Sequence, residues 1–198
     1  MLITVRKYFF LIKTASKIQE TFYNRSDVLC ISLHRTSMDS ISGSVDEIGS
    51  ENAKGRNINC PMPLDDFNCN NLIYAFQHLV MPVTLEFQPK VVIVTTSLDF
   101  GLARDSKAQI TPETYASMIH MLQSLTQGKI AIILECDYTL QYVAPSVYAM
   151  TEVLLGLPPK AHSGSVIPTK SGADAVASAI KAHAPYWGSL AFHNSSSK

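Results

Sequence analysis

Two short apolar runs, Val91 to Val94 and Ile130 to Leu134, constrain this chain more than any other feature. Each is rich in β-branched residues and lacks polar alternation, the pattern of strands buried on both faces of a parallel sheet. The stretch between them is long enough to hold a right-handed helical crossover. The fold class implied is α/β, a parallel sheet flanked by helices. Ligands of open α/β sheets gather at the carboxyl ends of the strands. The first run leads into Asp99 and the second into Tyr138, so a carboxylate and a phenol are the candidate site residues.

The rest of the chain fits the same class. Val28 to Leu33 reads as another buried strand, and Lys13 to Tyr23 as a helix. The opening segment MLITVRKYFFLIK is broken by Arg6 and Lys7 and is too short to cross a bilayer; it reads as a strand or a helix start. It also lacks the cleavage pattern of a secretory signal. From Arg35 to Pro63 the chain is rich in Ser, Asp, Gly and Asn and reads as a long loop. Asn71 to Phe87 has apolar residues at helical spacing, with a kink expected at Met81-Pro82. Thr111 as N-cap, Pro112 and Glu113 in the first turn, and Gly128 as the stop bracket another helix. Val143 to Leu155 and Ala173 to Ala184 are the remaining two.

With 198 residues the chain suits one domain with a substantial core. Its 16 basic and 16 acidic residues cancel, which removes any overall attraction to nucleic acid or an anionic membrane. Cys30, Cys60, Cys69 and Cys136 lack CxxC spacing and read as reduced thiols of an intracellular protein. Cys30 and His34 share a strand face but lack further ligands, so His34 reads as structural. His78, His120, His162, His183 and His193 read as surface or satisfied histidines, and Lys54, Arg56 and Lys90 as solvated charge.

Several segments, in order, resemble the histone deacetylase family: ISLHR at 31–35, GRNIN at 55–59, VMPV at 80–83, FQPKVVIVTTSLD at 87–99, QITPETY at 109–115, GKIAIILECDY at 128–138 and LLGLPP at 154–159. Pro185-Tyr186-Trp187 resembles the closing helix of the class II branch, closest to the type that holds the tubulin and polyamine deacetylases. The resemblance covers the carboxyl-terminal half of that catalytic domain. It implies an arginase/deacetylase-type sheet whose amino-terminal half is missing, with residues 1–14 as a non-matching segment, 15–190 as the partial domain and 191–198 as a frayed tail.

The family's activity, as the resemblance implies it, is zinc-dependent hydrolysis of acetyl-lysine on histones, tubulin or other proteins. Two aspartates and a histidine hold the zinc and leave one position open. Zinc polarises the carbonyl and activates water, a histidine pair handles protons, and a tyrosine donates to the oxyanion. By resemblance Asp99 is the second zinc aspartate and Tyr138 the oxyanion tyrosine. The other two ligand positions hold Leu11 and Lys13, and the histidine pair belongs to a part of the domain this sequence does not contain. Cys136-Asp137 stands where the family has Gly-Gly, and FGLARDSKAQ replaces an apolar, glycine-rich loop. Ser32 and Leu33 match positions that help bind a structural monovalent cation.

Three readings follow. The chain is a truncated, catalytically inactive homologue with zinc unbound or weakly bound. Alternatively it is an active deacetylase only when another chain supplies the missing ligands and histidines. A third reading is a non-catalytic interaction module in transcriptional repression, with a protein partner covering the open sheet. The compartment implied is nucleus or cytoplasm. On residues alone, Asp99 could instead cap a turn and Tyr138 could be a packing tyrosine.

Overall fold

The computed structural model describes residues 8–12, 16–36, 43–63, 67–96, 110–134, 140–161 and 166–191. Five strands form one sheet: β1 (Tyr8–Ile12), β2 (Val28–Arg35), β3 (Asn57–Met62), β4 (Val91–Thr96) and β5 (Ile130–Leu134). The order is β3-β2-β1-β4-β5 and every ladder is parallel. Within the segment read as a strand or helix start, Tyr8–Ile12 is therefore the middle strand. Its residues pair on both sides, Leu11 with Ile31 of β2 and with Val94 of β4.

Period-two alternation sorts the sheet residues into two faces. Leu29, Ile31 and Leu33 of β2, Ile58, Cys60 and Met62 of β3, and Val92 and Val94 of β4 all enter the main core. On the other face Val28 and Cys30 pack against Ile18 and Phe22 of α1 (Ser16–Phe22). Burial pushes the Cys30 and Cys60 thiols up to about 12, and both are free.

The long loop expected over 35–63 contains β3. Its sequence, NINCPM, hides the strand because Asn57 and Asn59 are polar yet only 2% and 0% exposed. Each amide nitrogen is bonded, which offsets part of the cost of burial, while Asn57 Oδ1 is left without a partner. Gln19 Nε2 donates to Asn59 Oδ1 at 2.7 Å, Asn59 Nδ2 donates to the Ser44 carbonyl at 3.0 Å, and Asn57 Nδ2 donates to the Glu47 carbonyl. Pro61 is tolerated because β3 is an edge strand, where some amides have no ladder partner.

The helix expected over 71–87 begins at Cys69, capped by Asn68, whose side chain accepts from Asn71 N at 3.0 Å. It runs as α2 (Cys69–Ala75), a π-helical turn (Phe76–Val80) and α3 (Met81–Phe87). The expected kink at Met81-Pro82 is this π turn, in which Met81 N donates to the Phe76 carbonyl. A widened turn immediately before Pro82 accommodates the missing proline donor. Thr111 caps α4 (Pro112–Thr126), accepting from Thr114 N at 3.4 Å, and Gly128 follows its end at φ +84°. Helix α5 (Leu140–Leu154) starts earlier than the Val143 expected, so Pro145 lies beyond its first turn. Helix α6 (Lys170–His183) also starts earlier, capped by Thr169, because its first turn, Lys-Ser-Gly, lacks the apolar period.

Arg56 is not a solvated charge. Its guanidinium lies 4.5 Å from the Trp187 ring centroid and 5.1 Å from that of Phe87. Trp187 Nε1 donates to the Gly55 carbonyl at 2.8 Å. Gly55 adopts φ +81°, and a Cβ there would stand 2.5 Å from Tyr186 Cβ, so only glycine fits. Glu86 accepts from Gly188 N at 3.2 Å and Ser189 N at 2.8 Å, which fastens α7 (Gly188–Ala191) to α3. Truncating Trp187, 3% exposed, removes an aromatic body, a hydrogen bond and the seat of Arg56 together. Trp187→Ala is expected to lower unfolding free energy by about 3–5 kcal/mol in urea titrations.

His183 also departs from expectation. It is 0% exposed, and neither ring nitrogen has a hydrogen-bond partner. Desolvation disfavours the imidazolium and moves its pKa from 6.5 to about 4. Above pH 6.5 the ring is neutral in both folded and unfolded chains, and its contribution to stability is complete. As pH falls from 6.5 towards 4, the unfolded chain gains a proton that the folded chain refuses, and roughly 3 kcal/mol is lost. Denaturant midpoints of wild type and His183→Gln across that range check this: the difference between them is expected to change with pH as His183 titrates.

Candidate functional site

A parallel sheet places the carboxyl ends of all its strands on one side, so the chain leaves β1, β4 and β5 there from three adjacent strands. Asp99 follows β4 in sequence and Tyr138 follows β5; both lie outside the described residues, as do Lys13, Cys136 and Asp137. The register gives their approach: Ile93 pairs with Ala131, Val94 with Ile132 and Thr96 with Leu134. Leu11 lies in β1, beside Val94. The whole of β1 reads YFFLI, with no carboxylate, imidazole or thiol.

At the end of β2 the polar residues are tied to one another. Ser32 Oγ and His34 Nδ1 are 2.8 Å apart, and Gly43 N donates to Glu47 Oε2 at 3.0 Å. Burial holds the His34 pKa below its ordinary value, opposed by a bond to the Gly43 backbone and by the nearby Glu47 carboxylate. This anchors the 43–47 segment to β2, which is the structural role expected of His34. Ser32, one of the two positions matching the family's monovalent-cation site, is 0% exposed. His78 stacks on Tyr74 with centroids 4.2 Å apart, and His120 is exposed. Among the described residues, no group of three or more His, Cys, Asp or Glu side chains could hold a metal ion.

Two features escape sequence reading. One is a groove of about 470 Å³ between α4, α5 and the Pro158–Lys160 segment, lined by Glu113, Pro145, Tyr148 and Glu152 among others. The other is the condition of β5, where Ile133 is 50% and Leu134 38% exposed. Apolar runs signal burial, and only the sheet order shows that this one is an edge.

The parallel sheet with its helices superposes on solved deacetylase domains, which makes this an arginase/deacetylase-type α/β protein. The histone deacetylase domain family model matches residues 17–154. The chain belongs to the histone deacetylase family. It is 35% identical over 150 residues to histone deacetylase HDA1 of Saccharomyces cerevisiae, spanning 71% of this chain and 21% of that protein. It is 34% identical over 180 residues to histone deacetylase 15 of Arabidopsis thaliana, spanning 87% and 32%. With the polyamine deacetylase HDAC10 of Homo sapiens the identity is 31% over 179 residues, spanning 87% and 27%. The HDA15 HD domain superposes with TM-score 0.85 at 30% identity, over 97% of this chain and 54% of that one. The deacetylase Clr3 superposes with TM-score 0.87 at 29% identity, over 94% and 33%. The chain thus spans about a fifth to a third of these curated relatives and about half of the HDA15 domain.

Proposed function

We propose that this chain is a histone deacetylase-family protein that does not hydrolyse acetyl-lysine by itself. The observation that carries the reading is β1. It is the middle strand, and its Leu11 occupies a position that resemblance gives to a zinc aspartate. A catalytic zinc needs three protein ligands and an open position. Leucine has no donor atom, the Lys13 ammonium would repel the ion, and Asp99 alone is a poor site. The residues of this chain do not fit the zinc of the family. Asp137, next to Tyr138 in sequence, adds negative charge near where an oxyanion would need stabilising. Nucleus or cytoplasm is the compartment that goes with this reading, and acetylated proteins of the histone or tubulin type are the substrates its relatives' chemistry would suggest.

Metal content tests it. After dialysis, monodisperse protein is expected to hold close to no zinc by elemental analysis; about one zinc per chain, lost in Asp99→Ala, would overturn the reading. The ligand argument makes a constructive prediction as well. Leu11→Asp combined with Lys13→His is expected to raise zinc affinity, measured by competition with a chromogenic chelator. That gain is expected to vanish when Asp99→Ala is added.

A further inference from the structure

Helices α4 and α5 pack side by side, but the seam between them is not filled along its whole length. Ala116 of α4 and Ala149 of α5 are small, and the cleft they leave is the groove of about 470 Å³. Pro145, Pro158 and Pro159 wall it with rings that have no rotamer freedom to lose on binding. Two carboxylates line the same groove, Glu113 in the first turn of α4 and Glu152 in the last turn of α5. Glu113 suits its own helix, because an N-terminal turn favours an anion. Glu152 does not, because the last turn carries the negative end of the dipole and disfavours a carboxylate. Tyr148, one turn before it, is 63% exposed, and its hydroxyl is bonded to the Glu152 carboxylate, which raises the phenol's pKa. That bond holds the carboxylate beside the ring without neutralising it. Among the described residues neither glutamate is paired with a cation, and Lys160, which also lines the groove, pairs with neither.

We propose that this groove docks an extended segment of a partner protein that presents an arginine or lysine beside small apolar residues. The cation lies on the Tyr148 ring next to Glu152, and its apolar neighbours lie on the proline walls. Charge complementarity selects the occupant. Two carboxylates stand against one ammonium, so the groove is net negative and rejects nucleic acid and acidic peptides. A cation held over an aromatic face beside a carboxylate gains from both contacts. It also offsets the unfavourable position of Glu152 at the end of its helix. Apolar surface selects a peptide over a free small cation. Leu155 is 77% and Leu157 51% exposed, and Leu157 directly precedes the Pro158 wall. Exposed apolar side chains grouped at a groove suit a polypeptide better than a solvated ion. Neither Asp99 nor Tyr138 takes part, so the proposal stands apart from the catalytic reading.

Fluorescence anisotropy of the full chain tests this with a short fluorescein-labelled peptide of alternating arginine and alanine. A second peptide carries glutamate in place of arginine. The arginine peptide is expected to bind, more weakly as salt is raised, and the glutamate peptide is not. Glu152→Gln and Tyr148→Ala are each expected to weaken binding about tenfold. Glu152→Gln is also expected to keep or raise the chain's unfolding midpoint, because the last turn of α5 loses an unfavourable charge, so lost affinity is not lost folding. Glu51→Gln, at an exposed position outside the groove, is expected to leave binding unchanged. No binding of the arginine peptide, equal binding of the glutamate peptide, or equal losses in Glu152→Gln and Glu51→Gln would each overturn the proposal. Arginine amide binding as tightly as the peptide would overturn it too, by making the groove a small-cation site. Zinc content does not enter this readout and reports separately on catalytic incompetence.

Discussion

The ladders on either side of β1 hold the molecule together. Tyr8 to Ile12 pair with β2 on one side and Tyr8 to Leu11 with β4 on the other, so the two halves of the described sheet meet through this strand. A central strand is served best by apolar residues, since a charge placed there must be desolvated on folding. YFFLI meets that demand without exception. The same composition removes the donors that a metal centre at the strand ends would draw from β1. In a domain that holds an ion, an acid near the middle of the sheet costs stability that the metal restores. On the reading proposed above, leucine at this position spares the strand that cost, because sheet and metal centre make opposite demands on one residue.

How much could be read in advance follows from how far a residue's role is local. VVIV and IAIIL announced parallel strands because continuous apolar runs have few other uses, but β5 is largely exposed and not buried on both faces as its composition implied. The Thr111-Pro112 start and the Gly128 stop of α4 are backbone chemistry written in single residues. Strand β3 was illegible because Asn57 and Asn59 are buried by partners distant in sequence, Gln19 among them. Arg56 and His183 were misjudged for the same reason. A guanidinium between Phe87 and Trp187, and an imidazole with no partner at zero exposure, are products of packing that no window of sequence displays. The family was legible in ordered motifs. The arrangement of Asp99 and Tyr138 is a separate matter, since both lie outside the described residues.

The closed end of the sheet owes its closure to contacts made very late in the chain. Trp187 reaches back to Gly55, and Glu86 receives the amides that begin α7. Asn71 donates to Thr169 Oγ1 at 3.0 Å and accepts from Thr169 N at 2.9 Å, which joins the start of α2 to the cap of α6. Each of these bonds spans much of the sequence and ties the flanking helices to the region around β3. On the core-facing side of β5, among the described helices, α4 packs against the strand, and β5 forms the other edge of the described sheet.

Extending the sheet at that edge would not by itself rebuild a metal centre. Adjacent strands lie about 4.8 Å apart, so a strand added beside β5 would stand roughly 10 Å from β4 and roughly 14 Å from β1. The position beside Val94 remains occupied by Leu11 whatever docks at the far edge. A change at β5 and a change at β1 therefore act on different properties, and only one in β1 or the residue after it alters the donor set that β1 offers.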